Sequence, residues 1–279
     1  MPELPEVETV RRGLIPRMVG HRIVKLHQRR RDLRVPMPKR FAEQVEGRRV
    51  EAIDRRAKYL LIRLDGGQTL IVHLGMSGRM TLHDAKSAAE HPFERHDHVV
   101  FELDDGWQVR FNDARRFGLM LLVATDKVAG HKAFKGLGPE PLEDAFDGAG
   151  LAGRLKGRKT PIKAALLDQK TLVGVGNIYA CEALFLSGIS PRRSAHTVQG
   201  ERADKLVAAI KQVLLRSIDD GGSTLRDHVQ PGGELGYFQT RFNVYDRRGA
   251  VCPTPKCGQL VRRLVQAGRS TFYCARCQR

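Results

Sequence analysis

The spacing of apolar residues changes character twice along this chain. At the start, Val7, Val10 and Leu14 fall on one face at helical intervals. Pro5 is a favoured first-turn residue, and Glu6 and Glu8 suit the positive end of a helix. The pattern therefore predicts a helix that begins at Pro5 and ends before Pro16. From about residue 22 the pattern becomes one of short runs, and strands are expected at Tyr59–Leu64, Thr69–Leu74, His98–Leu103, Gln108–Asn112 and Leu119–Val123. Asp65-Gly66-Gly67 and Asp104-Asp105-Gly106 sit between pairs of these runs and read as hairpin turns. Several short strands at this spacing suggest a β-sandwich or barrel. Residues 1–130 are thus expected to form one mostly β domain that carries an N-terminal helix.

After Gly136-Leu137-Gly138-Pro139 the strand pattern stops, and residues 161–168, 177–187 and 199–218 read as helices. The last of these lines up Ala203, Leu206, Val207, Ile210, Val213 and Leu214 on one side and meets Gly221-Gly222 as its stop. The fold class expected is α+β, with a helical domain over 131–240 and a small cysteine-bearing module over 241–279. Val173-Gly174-Val175-Gly176-Asn177 precedes one helix. Its glycines let a backbone come close to a partner, and the helix start aims free N–H groups at it, an arrangement for which a phosphate is the natural ligand. Gly232-Gly233 and Gly236, with few apolar neighbours, suggest a mobile loop at 229–240.

Composition narrows the class. The chain has 279 residues, 41% hydrophobic and 28% charged, which reads as globular and large enough to bury a core. No stretch approaches the roughly 20 apolar residues of a membrane span. The opening Met-Pro-Glu-Leu-Pro-Glu does not read as a signal peptide, so a cytoplasmic protein is expected. Lys+Arg number 48 against 31 Asp+Glu, a formal charge of +17, and nucleic acid is the leading partner for such an excess. The charge is also clustered. Residues 241–279 hold nine Lys/Arg against one acid, and Arg154, Lys156, Arg158, Lys159 and Lys163 form a second run.

Four of the five cysteines lie in the last 28 residues. Cys252 and Cys257 have four residues between them, Cys274 and Cys277 have two, and 16 residues separate the pairs. Two short-spaced pairs at that distance fit a tetrahedral four-cysteine zinc ribbon, each pair at a turn of a β-hairpin. Two disulfides or four free thiols are the alternative use. With no open coordination position, one zinc ion here is expected to be structural and to fold a segment too small to fold alone. Cys181 is expected to be buried on the helix that starts at Asn177. His73 and His98, in strands, read as structural.

The order of several blocks adds to this picture. Pro2-Glu3-Leu4-Pro5-Glu6-Val7-Glu8-Thr9, Arg56-Ala57-Lys58-Tyr59-Leu60, His73-Leu74-Gly75-Met76-Ser77-Gly78 and His96-Asp97-His98-Val99 are followed by Arg115-Arg116-Phe117-Gly118, Gly174-Val175-Gly176-Asn177-Ile178-Tyr179-Ala180 and Arg269-Ser270-Thr271-Phe272-Tyr273-Cys274. Together they closely resemble bacterial formamidopyrimidine-DNA glycosylases, from residue 2 to residue 277. The resemblance implies a β-sandwich, a helical domain with a helix–two-turn–helix and a zinc finger, with damaged duplex DNA bound in a cleft by a monomer. It implies a base-excision-repair enzyme that removes oxidised purines, 8-oxoguanine and formamidopyrimidines, and then cleaves the strand as an AP lyase. It also implies roles. Pro2 would be the nucleophile, Glu3 its acid/base partner, Lys58 a group for proton transfer and phosphate contact, and Arg269 the zinc-finger arginine of the elimination steps. His96, Arg115, Lys159 and Asn177 match DNA-contact positions, and Met76, Arg115 and Phe117 match residues that fill the gap left by an extruded nucleotide.

The chemistry suits those residue types. Once Met1 is removed, Pro2 offers a secondary amine with an ordinary pKa of roughly 7.7–8.0, and a nearby helix N-terminus disfavours its protonation further. A base must leave the stack to be excised, and the void calls for an apolar side chain, a planar cation and a ring. The chain departs from the family pattern at Ala114, where proline is usual, at Cys181 in place of serine, at Asp246 in place of glycine, and in the four-residue spacing of the first cysteine pair. Two rival readings share many features: an endonuclease VIII-like enzyme for oxidised pyrimidines, and a non-enzymatic DNA-binding protein with a zinc ribbon.

Overall fold

The structure is a computed structural model that describes residues 2–224 and 230–279. Met1 and residue 229 of the expected loop lie outside the described residues. Helix α1 spans Leu4–Met18, followed by strand β1 (Ile23–Gln28), helix α2 (Phe41–Val45) and strands β2 (Val50–Arg56), β3 (Tyr59–Leu64), β4 (Gln68–His73) and β5 (Arg79–His83). Helix α3 (Ala85–Glu90) leads into β6 (Asp97–Leu103), β7 (Gln108–Asn112) and β8 (Leu119–Ala124). Helices α4 (Gly148–Leu155), α5 (Ile162–Leu167), α6 (Asn177–Leu186) and α7 (Glu201–Asp219) follow, then the hairpin β9 (Arg262–Gln266) and β10 (Arg269–Tyr273). Among the described residues no helix is long and apolar enough to cross a membrane.

Two compact units result, one formed by residues 1–135 with 220–237, the other by 136–219 with 238–279. The first is a sandwich of two four-stranded antiparallel sheets, ordered β1-β6-β7-β5 and β2-β3-β4-β8. Alternation drives the packing: Leu60, Ile62 and Leu64 of β3 point into the core that Phe101, Val109 and Phe111 fill from the other sheet. Val7, Val10, Leu14 and Met18 of α1 join the same core. Pro16, expected beyond the helix end, lies inside α1. A proline in the last turn forfeits one backbone bond, and the continued turn buries Met18 completely. Within the sandwich, the three strands that the hydrophobic pattern did not single out, β1, β2 and β5, are all edge strands, and β1 and β2 carry a register shift.

The start of α1 is tied to the β2–β3 hairpin by charge. The buried Glu8 carboxylate takes hydrogen bonds from Arg11 (2.8 Å), Arg12 (3.0 Å) and Arg55 (3.1 Å), while Arg11 Nη1 also donates to the Ile53 carbonyl. Burial raises the Glu8 pKa, but the three guanidiniums outweigh it and hold the carboxyl below its ordinary value.

The second unit packs α4, α6 and α7 together, and Leu151, Leu155, Leu206 and Ile210 are buried among its apolar residues. Helix α4 was not foreseen. Asp147 caps it by accepting from Gly150 N at 2.7 Å.

Glu8→Gln should cost about 2 kcal/mol at neutral pH, on the scale of hydrogen bonds to charged groups. Because the folded pKa is lowered from 4.5, this contribution is present above that value and is lost as pH falls below it. Denaturant titrations of both proteins at neutral and acid pH should therefore converge on the acid side; a gap that persists would assign the stabilisation to packing.

Candidate active site and metal centre

In the first unit, Pro2 and Glu3 are buried where α1 begins, and Glu3 is the residue that precedes its first turn. The Glu3 amide donates to Glu6 Oε2 at 2.8 Å, and Glu6 Oε1 accepts from Ser223 N at 2.9 Å. Glu6 is thus a clamp that fixes both the terminal segment and residue 223. The residues just past 229 are also anchored here: the Pro231 carbonyl accepts from Leu82 N, at the sheet edge. Lys58 is nearly buried in the two-residue turn between β2 and β3, where Ala57 adopts a left-handed backbone (φ 54°).

From Lys58 the site continues through His73. Tyr59 pairs with His73 across β3 and β4, and their rings meet edge to face at 4.7 Å. His73 Nδ1 accepts from Gly75 N at 2.9 Å. Burial, helped by the charges of Lys58 and Arg34, lowers the His73 pKa to about 4, so the ring is neutral at pH 7 and keeps that lone pair. Gly75 (φ 67°) turns the chain tightly, and a Cβ there would lie 2.3 Å from the Phe117 backbone carbon.

Asp113 completes this arrangement. It is fully buried, with Oδ1 accepting from Ser77 Oγ (2.6 Å) and Oδ2 from Gly118 N (2.8 Å). Ser77 Oγ in turn accepts from Arg115 N (3.1 Å), and the Asp113 carbonyl meets His98 Nε2 (2.8 Å). One carboxylate therefore binds the loop carrying Met76 to the loop carrying Arg115 and Phe117. Met76 is part-exposed, Phe117 is exposed, and the Arg115 guanidinium lies 4.8 Å over the Phe117 ring. His96 joins the cluster, its carbonyl accepting from Asp113 N and its ring 6.1 Å from that of His98. Composition and spacing singled out none of Glu6, Ser77 or Asp113 as a brace, because a buried acceptor is recognisable only with its donors in place.

In the second unit the four cysteine sulfurs converge. Sγ–Sγ separations are 3.8 Å for Cys252–Cys277, 3.6 Å for Cys257–Cys274 and 3.4 Å for Cys257–Cys277. A tetrahedral zinc with bonds of about 2.3 Å requires about 3.8 Å between sulfurs, so the cradle fits one structural Zn2+. The thiols also need a cation. Against the Thr254 hydroxyl, which favours its thiolate, burial and the sulfurs of Cys257, Cys252 and Cys274 push the Cys277 thiol up to about 12. Cys181 of α6 is buried beneath this centre with Phe185, Val244, Val261 and Phe272. The neighbouring Glu182 carboxylate accepts from the amides of Asn243, Val244 and Tyr245, each at 2.8–2.9 Å, and fastens the approach to the finger.

The exposed Arg269 opens β10, beside the Ala267-Gly268 turn. The next carbonyl, of Ser270, accepts from Lys163 Nζ (2.9 Å) and Asn177 Nδ2 (3.0 Å), and Ser270 Oγ accepts from Arg263 (2.8 Å). Asn177 and Arg269 are therefore neighbours, and the Asn177 amide is engaged with the hairpin. Among the described residues its buried Oδ1 has no hydrogen-bond partner. Lys159 is exposed beyond α4, its carbonyl accepting from Ser194 Oγ (3.2 Å).

Family models cover this architecture in sequence order. The formamidopyrimidine-DNA glycosylase N-terminal domain matches residues 1–120, the helix–two-turn–helix domain of the same enzymes 137–229, and the zinc finger found in these enzymes and in isoleucyl-tRNA synthetase 249–279. The chain belongs to the formamidopyrimidine-DNA glycosylase family. It is a DNA-repair glycosylase with a zinc finger. Relatives named formamidopyrimidine-DNA glycosylase include those of Cereibacter sphaeroides strain KD131, 55% identical, and Dinoroseobacter shibae, 56% identical, each covering 100% of both chains. The crystal structure of the family member from Thermus thermophilus superposes with a TM-score of 0.85 at 42% identity, covering 99% of this chain and 98% of that one. The Lactococcus lactis enzyme, solved with DNA containing an N7-benzyl formamidopyrimidine lesion, gives 0.88 at 33% identity and full coverage of both.

Two outcomes follow. Cys274→Ala should lose its zinc and unfold the finger while the sandwich keeps its own core, seen as zinc content near zero with a cooperative transition retained; full zinc occupancy would contradict the four-sulfur centre. For His73, the folded pKa of about 4 lies below the ordinary 6.5, so the unfolded chain binds the proton first. Stability should fall as pH drops from 6.5 to 4, by up to about 3 kcal/mol. His73→Gln should flatten that part of a denaturant–pH profile, and an unchanged slope would assign the acid loss elsewhere.

Proposed function

We propose that this glycosylase removes oxidised purines, 8-oxoguanine and formamidopyrimidines, from duplex DNA through a covalent intermediate on Pro2, and then cleaves the strand by β,δ-elimination. The observation that carries the reading is the placement of Pro2 and Glu3, both buried at the start of α1, in a chain that matches the family along its length.

Removal of Met1 leaves a secondary amine beside the positive end of α1, which favours the neutral, nucleophilic form. The amine nitrogen bonds to sugar C1′ and the C1′–base bond breaks, the base leaving with the electron pair and a proton. The C1′–O4′ bond then opens, with O4′ taking a proton from Glu3, and the nitrogen lone pair forms an iminium. A proline iminium carries no N–H and cannot neutralise itself by losing that proton. It therefore acts as an electron sink: loss of the C2′ proton expels the 3′ phosphate, and loss of the C4′ proton later expels the 5′ phosphate. Glu3 is the group placed to relay these protons. Lys58 and Arg269 supply cations for the flanking phosphates, Arg269 with a guanidinium suited to a bidentate grip. Met76, Arg115 and Phe117, on the loops that Asp113 joins, are suited to the gap left by the extruded nucleotide. His96, Lys159 and the N-terminal turn at Asn177 are assigned to phosphate contacts. The zinc is structural, and the protein acts as a monomer on damaged double-stranded DNA.

The test is borohydride trapping on a duplex carrying 8-oxoguanine opposite cytosine, with the processed N-terminus confirmed by mass and the adduct located by peptide mapping. A stable adduct on Pro2 is expected, with weaker trapping on thymine glycol. An adduct on a lysine would overturn the nucleophile. Trapping on thymine glycol alone would move the reading to an endonuclease VIII-like enzyme, and no adduct on either duplex would leave a binding protein.

A further inference from the structure

The groups assigned above to the first unit come from separate elements. Pro2 and Glu3 stand at the start of helix α1, whereas Lys58 lies in the turn between β2 and β3. Helix α1 packs on both strands, but apolar contact is non-directional and sets no sharp offset between helix and turn. One side chain spans the two. Arg55, near the end of β2 and almost buried, donates from Nε to Glu8 Oε2 (3.1 Å) and from Nη1 to the Ala57 carbonyl (3.0 Å). Glu8 lies little more than one turn of helix beyond Glu3, and Ala57 directly precedes Lys58. A guanidinium holds its donors in one rigid plane, so the two bonds fix the turn at a set distance from the helix.

Ala57 is a residue that needs holding. It is the first of the two central residues of the hairpin turn and has φ 54°. Hairpins usually give that left-handed place to glycine, asparagine or aspartate. Another residue stays there when its surroundings over-determine it, and the bond from Arg55 is one such constraint. The Ala57 carbonyl and the Lys58 nitrogen share one planar peptide unit. Fixing the direction of that carbonyl therefore fixes the plane from which the Lys58 side chain leaves. Arg11 and Arg12 provide the contrast. Both bind Glu8, at 2.8 Å and 3.0 Å, but Arg11 otherwise reaches the Ile53 carbonyl, and among the described residues neither bonds to the turn.

We propose that Arg55 is a positioning residue for Lys58, a bridge from helix α1 to the β2–β3 turn that keeps the Lys58 ammonium in register with Pro2 and Glu3. The inference rests on the role given to Lys58 in the preceding subsection. Arg55 touches no reacting atom and acts through the backbone of the turn.

The test is a double-mutant cycle on the full-length, zinc-loaded, N-terminally processed protein. Single-turnover rates at saturating enzyme are measured for base release from an 8-oxoguanine·cytosine duplex and for strand cleavage of a preformed abasic duplex. Wild type is compared with Arg55→Ala, Lys58→Ala, the double variant and Arg12→Ala. A misplacement of about 1 Å can cost about 100-fold in rate. On each step that Lys58→Ala slows, Arg55→Ala should therefore lower the rate by about 10- to 100-fold. In the Lys58→Ala background no ammonium is left to place, and the same change should cost less than about twofold. Arg12→Ala removes a partner of Glu8 without touching the turn and should keep the wild-type rates. Equal losses from Arg55→Ala in both backgrounds would overturn the proposal, since the arginine would then act on the fold at large. Wild-type rates in Arg55→Ala beside a slow Lys58→Ala would also overturn it, as would an equal loss in Arg12→Ala. Arg55→Gln, which keeps the stem and an amide donor, replaces Arg55→Ala in the cycle if thermal unfolding shows that the alanine variant folds poorly. Full rates in Lys58→Ala, or a wild type inert on both duplexes, would instead sink the reading on which the proposal rests.

Discussion

A carboxylate buried away from water must be met by donors, and the working loops of this protein are organised around three such groups. Glu6, Asp113 and Glu182 are each nearly or fully buried. Their partners are mainly backbone amides: Glu3 and Ser223 for Glu6, Gly118 with the Ser77 hydroxyl for Asp113, and Asn243, Val244 and Tyr245 for Glu182. Backbone amides cannot be exchanged by changing a side chain, so the carboxylate dictates the path of the main chain. Leaving such an acceptor unmet costs more than the bonds return when they form. The penalty makes each loop two-valued, either on its carboxylate or wrong. A loop that must hold its side chains in one place benefits from that intolerance.

The zinc finger reaches the same end by another route. Its hairpin has little core of its own, so four thiolates and one cation replace hydrophobic burial as the source of order. What the metal fixes is the fold of the ribbon. The aim of Arg269 is set separately, by Lys163 and Asn177 on the Ser270 carbonyl and by Arg263 on the Ser270 hydroxyl. Lys163 is fully buried and its ammonium is spent on that carbonyl and on Thr271. Two families of constraint therefore meet one residue from the exposed arginine, and a change in either is transmitted to it through the rigid backbone of β10.

Legibility in the sequence followed how local each signal was. Strands β3, β4, β6, β7 and β8 announce themselves by apolar runs ended by glycine turns, and α7 by a long one-sided stripe. Edge strands do not: Val24 and Lys25 of β1 are exposed, and β5 is Arg-Met-Thr-Leu-His with one fully buried position. Helix α4 is hidden by three glycines that lower its propensity, and only its buried Leu151 and Leu155 make it worthwhile. Motif order names Pro2, Lys58, Met76, Arg115, Phe117 and Arg269 as candidates. It could not reveal that Asp113 joins the loops of Met76, Arg115 and Phe117, because a donor 36 residues away, Ser77, turns an ordinary loop aspartate into a hub. Nor could it show that the Asn177 amide belongs to the zinc hairpin.

Net charge misleads in a similar way unless it is resolved residue by residue. An excess of +17 suggests a surface given over to phosphates, yet much of the cationic inventory is consumed internally. Arg110 is fully buried, with its guanidinium on Gln108 and 5.1 Å over the Phe93 ring. Arg55 serves Glu8, and Lys163 serves β10. Such groups contribute nothing to counterion release, because they never meet a phosphate. The cations still free for an outside partner are the exposed ones that form no ion pair among the described residues, such as Lys159 and Arg269. The electrostatic footprint of the protein is therefore smaller and more sharply drawn than its composition suggests, and its shape is decided by the same internal pairings that hold the fold.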